Sequence, residues 1–347
     1  MLTQTQPAQA LPATAERVPA LDGWRGVAIG LVLFSHQSGP LGYGREVMSI
    51  AGPIGHLGVR IFFVISGFLV THMLLRELER TGRIDIVNFW LRRALRLIPA
   101  VLLFMGAVYL AAALGYVRLQ SPRDYLFPLT FTMNYYPERA WYWVHLWSLS
   151  AQLQFYFVWP LLMLAAGRSR LLYLALAVIA LTPVVRLATF NLLPVWYTQG
   201  HALETILDIF ATGGLVAILR KPLGESKAYW HFLNSPAIAG LVILLLAMNS
   251  LSQFAKVKML LMTPMNLAVA ILVDRSTRIT DDWWGRLLAS RPVVLLGAIS
   301  YSLYIWQQPL INSGTTLPFP LGLLLALLVA TIGYHAIEKP SSKLGRR

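Results

Sequence analysis

Leu21-Asp22-Gly23-Trp24-Arg25-Gly26 leads directly into the apolar run Val27-Ala28-Ile29-Gly30-Leu31-Val32-Leu33-Phe34, which closes on Ser35-His36. The run is apolar enough to lie in hydrocarbon, yet a permanent cation and an imidazole bracket it. Ten residues separate Arg25 from His36. On an α-helix that interval advances about 16 Å and leaves the two side chains only about 20° apart around the axis. Both therefore share a face, one near a membrane surface and one deep. Ionisable side chains within a span are costly and mark function by default. Gly23, Gly26 and Gly30 on the same segment offer close approach to neighbouring helices. A lone intramembrane His is as compatible with packing as with chemistry. Arg25 on the same face tilts His36 toward catalysis or proton transfer, for which a neutral imidazole is suited.

The remainder of the chain repeats the apolar theme. Hydrophobic residues make up 56% of its 347 residues and charged residues 13%, about half the charged share of soluble domains. Segments approaching the roughly 20 apolar residues that cross a bilayer predict an all-α polytopic bundle of about ten spans. They are 23–38, 57–75, 97–115, 146–166, 171–189, 202–219, 235–253, 258–274, 293–311 and 319–337. The stretch 125–136 is apolar but short and contains Pro128, so it reads as re-entrant or interfacial. Residues 1–20, rich in Ala, Pro, Gln and Thr, predict a disordered cytoplasmic tail without the pattern of a cleavable signal. Residues 21–341 form the transmembrane domain and 342–347 a basic tail, and no segment reads as a separate soluble domain.

The net charge of +14 raises nucleic acid as a partner, and its distribution argues against it. With the N-terminus in the cytoplasm, 21 of the 29 basic residues fall on the inner side and eight on the outer. This positive-inside bias places both termini in the cytoplasm. There is no cysteine, which excludes disulfides, thiolate catalysis and Cys-ligated metals. No metal site is expected.

Further motifs follow in order. Arg60, in Gly58-Val59-Arg60-Ile61-Phe62-Phe63-Val64-Ile65-Ser66-Gly67-Phe68, enters the outer leaflet. It is suited either to a carboxylate partner or to orienting an acceptor. Ser66 lies one turn and a half further along. Arg92, Arg93 and Arg96, in Phe89-Trp90-Leu91-Arg92-Arg93-Ala94-Leu95-Arg96-Leu97-Ile98-Pro99, read as a lipid-headgroup anchor or as a phosphate cradle, because guanidinium forks bind phosphate bidentately. Trp147-Ser148-Leu149-Ser150-Ala151-Gln152-Leu153-Gln154-Phe155-Tyr156 sets two glutamines in a span, which need partners or a polar cavity. Asp208, with Gly213, is an intramembrane acid in want of a partner. Ser300-Tyr301-Ser302-Leu303-Tyr304-Ile305-Trp306 and Ile337-Glu338-Lys339-Pro340 complete the series.

Taken together and in this order, the motifs resemble the acyltransferase-3 family of polytopic membrane acyltransferases, over about residues 20–341. The resemblance implies transfer of an acyl group, typically acetyl from acetyl-CoA, to a hydroxyl of a saccharide, lipid-linked sugar or other acceptor at the bacterial inner membrane. Acyl-CoA is then a co-substrate rather than a bound cofactor. His36 matches the family's essential histidine and Arg25 its paired arginine, while Arg92, Arg93 and Arg96 match the motif that holds CoA, which puts phosphate cradle ahead of anchor. Arg60, Ser66, Gln152 and Tyr156 become candidates for acceptor or oxyanion contacts. Two positions depart from the pattern: Gln152-Leu153 stand where relatives commonly carry Glu, and Gln307 stands where a His often follows the Trp. The chain ends soon after its last span, so the fused esterase-like domain of some members is not expected. His36 serves as general base or as acyl-accepting nucleophile. The rival readings are a transporter or exporter of an envelope precursor and an inactive relative acting as scaffold.

Overall fold

The computed structural model describes residues 18–37, 45–119, 121–192, 201–311 and 317–344, so the expected tails 1–20 and 342–347 lie mostly outside the described residues. The described residues are helical and contain no strand. The long helices are α1 (Pro19–Gln37), α2 (Arg45–Thr81), α3 (Ile86–Ala113), α5 (Leu146–Ala166) and α6 (Leu171–Leu192), with the short α4 (Arg123–Leu129) between α3 and α5. They continue with α7 (Leu203–Ile218), the short α8 (Arg220–Glu225) and α9 (Lys227–Leu233), α10 (Ala237–Leu251) and α11 (Ala255–Arg278). The short α12 (Trp283–Leu288), then α13 (Arg291–Ile311), α14 (Phe319–Gly333), a π-turn at Tyr334–Glu338 and α15 (Lys339–Leu344) complete the chain.

Each of the ten segments picked out by hydropathy falls on a helix. Among the described residues, however, only six helices are long and apolar enough by themselves to cross a membrane: Gly52–Thr81, Ile86–Ala113, Leu146–Ala166, Arg168–Phe190, Lys256–Arg278 and Pro320–Leu344. The bent pair Lys227–Leu233 and Ala237–Leu251, which meet at 64°, makes a seventh if counted as one span. The helices that fall short are α1, α7 and α13. All three pack against other helices, α1 against α2 and α13 and α7 against α2 and α6, with α2 itself mostly buried. A helix enclosed by protein need not be apolar all round, because its polar face meets neighbours or a cavity rather than lipid. These three carry Arg25, His36, Asp208, Ser300, Ser302 and Gln307.

Close helix contact depends on glycine at several crossings, two of them reciprocal. On α2 and α7, a Cβ at Gly67 would stand 2.0 Å from the Phe210 carbonyl oxygen, and one at Gly213 would stand 2.0 Å from that of Val64. On α1 and α13, Gly26 and Gly297 abut the Val293 and Asp22 carbonyls in the same reciprocal way. Gly23 meets the Leu288 carbonyl, but Gly30 has nothing within 4 Å, so the third glycine of α1 is not a packing notch. Gly67→Ala is therefore expected to abolish recovery of monodisperse protein in detergent, since backbone oxygen cannot step aside, whereas Gly30→Ala is recovered at the wild-type level. Size-exclusion chromatography of the two variants checks this.

The α2–α3 turn is set by Gly82 in the left-handed region (φ +71°) and by Asp85, which caps α3 by accepting the Asn88 backbone N–H at 3.0 Å. The two Asn88 donors hold that exposed carboxyl below its ordinary range. Residues 121–145, which include the expected re-entrant or interfacial stretch 125–136, fold over one end of α3 as α4 and two 3₁₀ turns. Met133, Tyr136 and Trp143 are buried there with Phe104, Met105 and Val108 of α3. Gln154 staples this cap to α5, exchanging hydrogen bonds of 2.9 Å with Asn134 and donating to the Phe131 carbonyl.

Candidate active site

Helix α1 carries Arg25 and His36 into two different cavities. Arg25, ion-paired with Asp22 at 3.4 Å, lines a cavity of about 830 Å³, open mouth included, together with Arg93 and Arg96 of α3. Its walls are set by hydrogen bonds between helices: Trp90 Nε1 donates to the Tyr156 carbonyl at 3.1 Å, and the Tyr301 hydroxyl to the Leu97 carbonyl at 2.7 Å. Arg93 is buried, with its guanidinium 5.6 Å from the centre of the Phe89 ring and 5.4 Å from that of Tyr156. Such stacking supports a desolvated cation, one of whose terminal nitrogens also donates to Met73 Sδ at 3.0 Å.

His36 lines a second cavity, of about 770 Å³, with His56, His145, His201, Arg139 and Trp147. Its Nδ1 lies 2.5 Å from Oε1 of Gln307, which is fully buried on α13. An amide oxygen only accepts, so this contact places the proton on Nδ1 and the lone pair on Nε2. A base held in one tautomer by a third group is the arrangement that activates a hydroxyl nucleophile. The two cavities meet at Val59 and Tyr304, which line both. The Tyr304 hydroxyl is held 2.6 Å from Ser148 Oγ and donates to the His145 carbonyl at 3.0 Å.

The residues singled out in the sequence divide between these places. Ser66, Gln152 and Tyr156 form one hydrogen-bonded group, with Gln152 Nε2 donating to Ser66 Oγ at 2.6 Å and lying 2.8 Å from the Tyr156 hydroxyl. The group lines the arginine cavity and not the one that holds His36. Leu153 packs among apolar side chains, so of Gln152 and Leu153 only Gln152 faces a cavity. Arg92 lies apart from both cavities, with a 39% exposed side chain 3.8 Å from Glu77. Arg60 is buried beside α11, donating to the Met262 carbonyl at 2.9 Å and to Asn266 Oδ1, and lines neither cavity.

Asp208 has its partner. It is paired with Arg186 at 2.7 Å, both side chains fully buried, and its other oxygen accepts from Thr263. Ser302 donates to Glu338, which joins the last two motifs at the π-turn. The Glu338 carboxylate is within electrostatic reach of Arg25 and Arg96.

His56, His145, His201 and Tyr304 were not singled out as site residues in the sequence. They come from four segments, and no periodicity links positions so distant in the chain. Gln307 carried a signal only as a departure from a family pattern.

The acyltransferase-3 family model, described as an acyltransferase domain, matches residues 18–335. The O-acetyltransferase OatA of Staphylococcus aureus strain NCTC 8325 / PS 47 is 29% identical over 373 residues, covering 94% of this chain and 58% of the relative. OatA of strain COL matches with the same values. The chain thus spans 58% of the length of these curated relatives. No solved structure matches.

Proposed function

The chain belongs to the acyltransferase-3 family, and from that premise we propose that it moves an acetyl group from acetyl-CoA to a hydroxyl of a saccharide or glycolipid at the bacterial inner membrane. Ten helices cross the bilayer with both termini in the cytoplasm, and residues 21–341 form the catalytic unit. The observation that carries this reading is the His36–Gln307 pair, one cavity wall away from three arginines.

CoA phosphates lie on Arg96, Arg93 and Arg25, and the thioester reaches the partition at Val59 and Tyr304. The acceptor enters the histidine cavity. Its hydroxyl oxygen attacks the thioester carbonyl carbon while the hydroxyl proton passes to His36 Nε2. A C–O bond forms and the C–S bond breaks, and the proton leaves on the departing CoA sulfur. The products are an acetyl ester and free CoA. An acyl-imidazole route uses the same Nε2 lone pair. The Ser148 and Tyr304 hydroxyls give their protons to the His145 carbonyl, and the candidates for steadying the tetrahedral oxyanion are Ser66, Gln152 and Tyr156 on the donor side.

The test is transfer of radiolabelled acetyl from acetyl-CoA in membranes that contain the protein. Label appearing in a saccharide fraction supports the reading. Flux of an intact solute with no acetyl-CoA consumed replaces it with a transporter. Within the donor cavity, Arg96→Gln is expected to raise the KM for acetyl-CoA about tenfold or more, since a hydrogen bond to a charged group contributes about 1.5–3 kcal/mol. Arg92→Gln should change it less than twofold, because that side chain lies outside the cavity.

A further inference from the structure

The histidine cavity has a charge as well as a shape. Among the described residues that line it, Arg139 is the one permanent charge, beside four histidines, and there is no Asp or Glu. Lys258 stands within electrostatic reach of both His56 and His201. Glu204, the nearby acid of α7, is engaged by the Tyr135 hydroxyl at 2.7 Å and does not line the cavity. Arg139 is half-buried. Its Nε donates to the Tyr136 carbonyl and one terminal nitrogen lies 3.2 Å from His201 Nδ1. The other terminal nitrogen, Nη1, takes no partner among the described residues.

A guanidinium held in this way must exchange its water for something when a ligand fills the cavity. A neutral sugar offers hydroxyl lone pairs, whereas an anion offers charge and a matching pair of oxygens. Burying a cation without a counter-charge is costly, so the cavity discriminates by charge. We infer that it takes an acceptor saccharide bearing a negative group, carboxylate or phosphate, near the hydroxyl to be acylated, with Arg139 as the anion contact. The inference rests on the acyltransfer reading above and adds the chemical class of the acceptor.

The test uses the full chain in lipid nanodiscs with labelled acetyl-CoA and three probes of one skeleton. They are a glucuronate-containing tetrasaccharide, its methyl ester, and a phosphorylated tetrasaccharide. The expected result is at least a tenfold higher kcat/KM for a charged probe than for the methyl ester. Arg139→Gln removes the preference and Arg139→Lys keeps most of it. Preference for carboxylate over phosphate, or the reverse, assigns the source of the charge. Equal or better use of the methyl ester by the wild type overturns the inference, as does a preference that survives in Arg139→Gln. His36-dependent hydrolysis of acetyl-CoA with no probe labelled overturns it too, and leaves acyl transfer standing. If no acetyl-CoA is consumed at all, acyl transfer itself falls. Direct binding of the glucuronate tetrasaccharide, weakened at least tenfold in Arg139→Gln or not, then decides the anion site alone.

Discussion

His36→Ala is expected to lower acetyl transfer by about 10²- to 10⁴-fold, the range of a lost general base, while the protein inserts and stays folded. The imidazole lines a cavity rather than the apolar core, so its removal enlarges an existing space instead of opening a void. The measurement is labelled acetyl-CoA turnover beside a size-exclusion profile of the same preparation. Retained transfer would eliminate both the general-base and the acyl-histidine routes. Gln307 gives a graded companion. Gln307→Ala removes the acceptor of the Nδ1 proton and frees the ring to turn. It should lower kcat with little change in the KM for acetyl-CoA, the signature of a transition-state contribution. Gln307→Glu keeps an oxygen on that proton and should retain more activity than Gln307→Ala.

The second large effect is on stability. Asp208→Asn leaves the Arg186 guanidinium fully buried without its counter-charge. The acceptors left to Arg186 are then all neutral: the amide oxygen at position 208 and the Thr205 and Met259 carbonyls, at 2.9 and 3.1 Å. Breaking one side of a buried pair costs about 3–5 kcal/mol, a large share of a domain's net stability. Loss of folded protein, or a sharply lower Tm in detergent, is the expected outcome. The double variant Arg186→Met with Asp208→Leu should recover much of it, because an apolar pair of similar volume avoids the desolvation cost. A proton-carrying role for Asp208 predicts the opposite: a stable Asp208→Asn protein that has lost only its activity. With both carboxylate oxygens engaged, by Arg186 and Thr263, the structure favours the tie between α6 and α7.

Asp208 and Arg60 show where sequence inference stops. Both are ionisable groups inside apolar segments, and for both the default expectation is function. The structure gives one a buried arginine and the other a carbonyl and an amide oxygen. Arg92 and Arg93 are adjacent in sequence, and the helical turn of about 100° between them sends one toward Glu77 and the other into a cavity. The arginine motif was legible as a phosphate cradle through family resemblance, but which of its members face the cavity was not.

By itself the sequence determined the helical class, the apolar segments and the membership of His36 and Arg25 on one helix. These follow from composition and a 3.6-residue period, which are local properties of the chain. It also flagged Gln152 and Gln307, without showing that one faces the arginine cavity and the other holds His36. The tertiary structure alone decided which helices α1, α7 and α13 pack against, that Arg25 and His36 open on separate cavities, and that Tyr304 stands between them. Those facts depend on contacts between residues far apart in sequence, as far as the 271 positions from His36 to Gln307. Such contacts are set by which helix faces fit together, through glycine notches and buried polar pairs, and no local pattern encodes the fit.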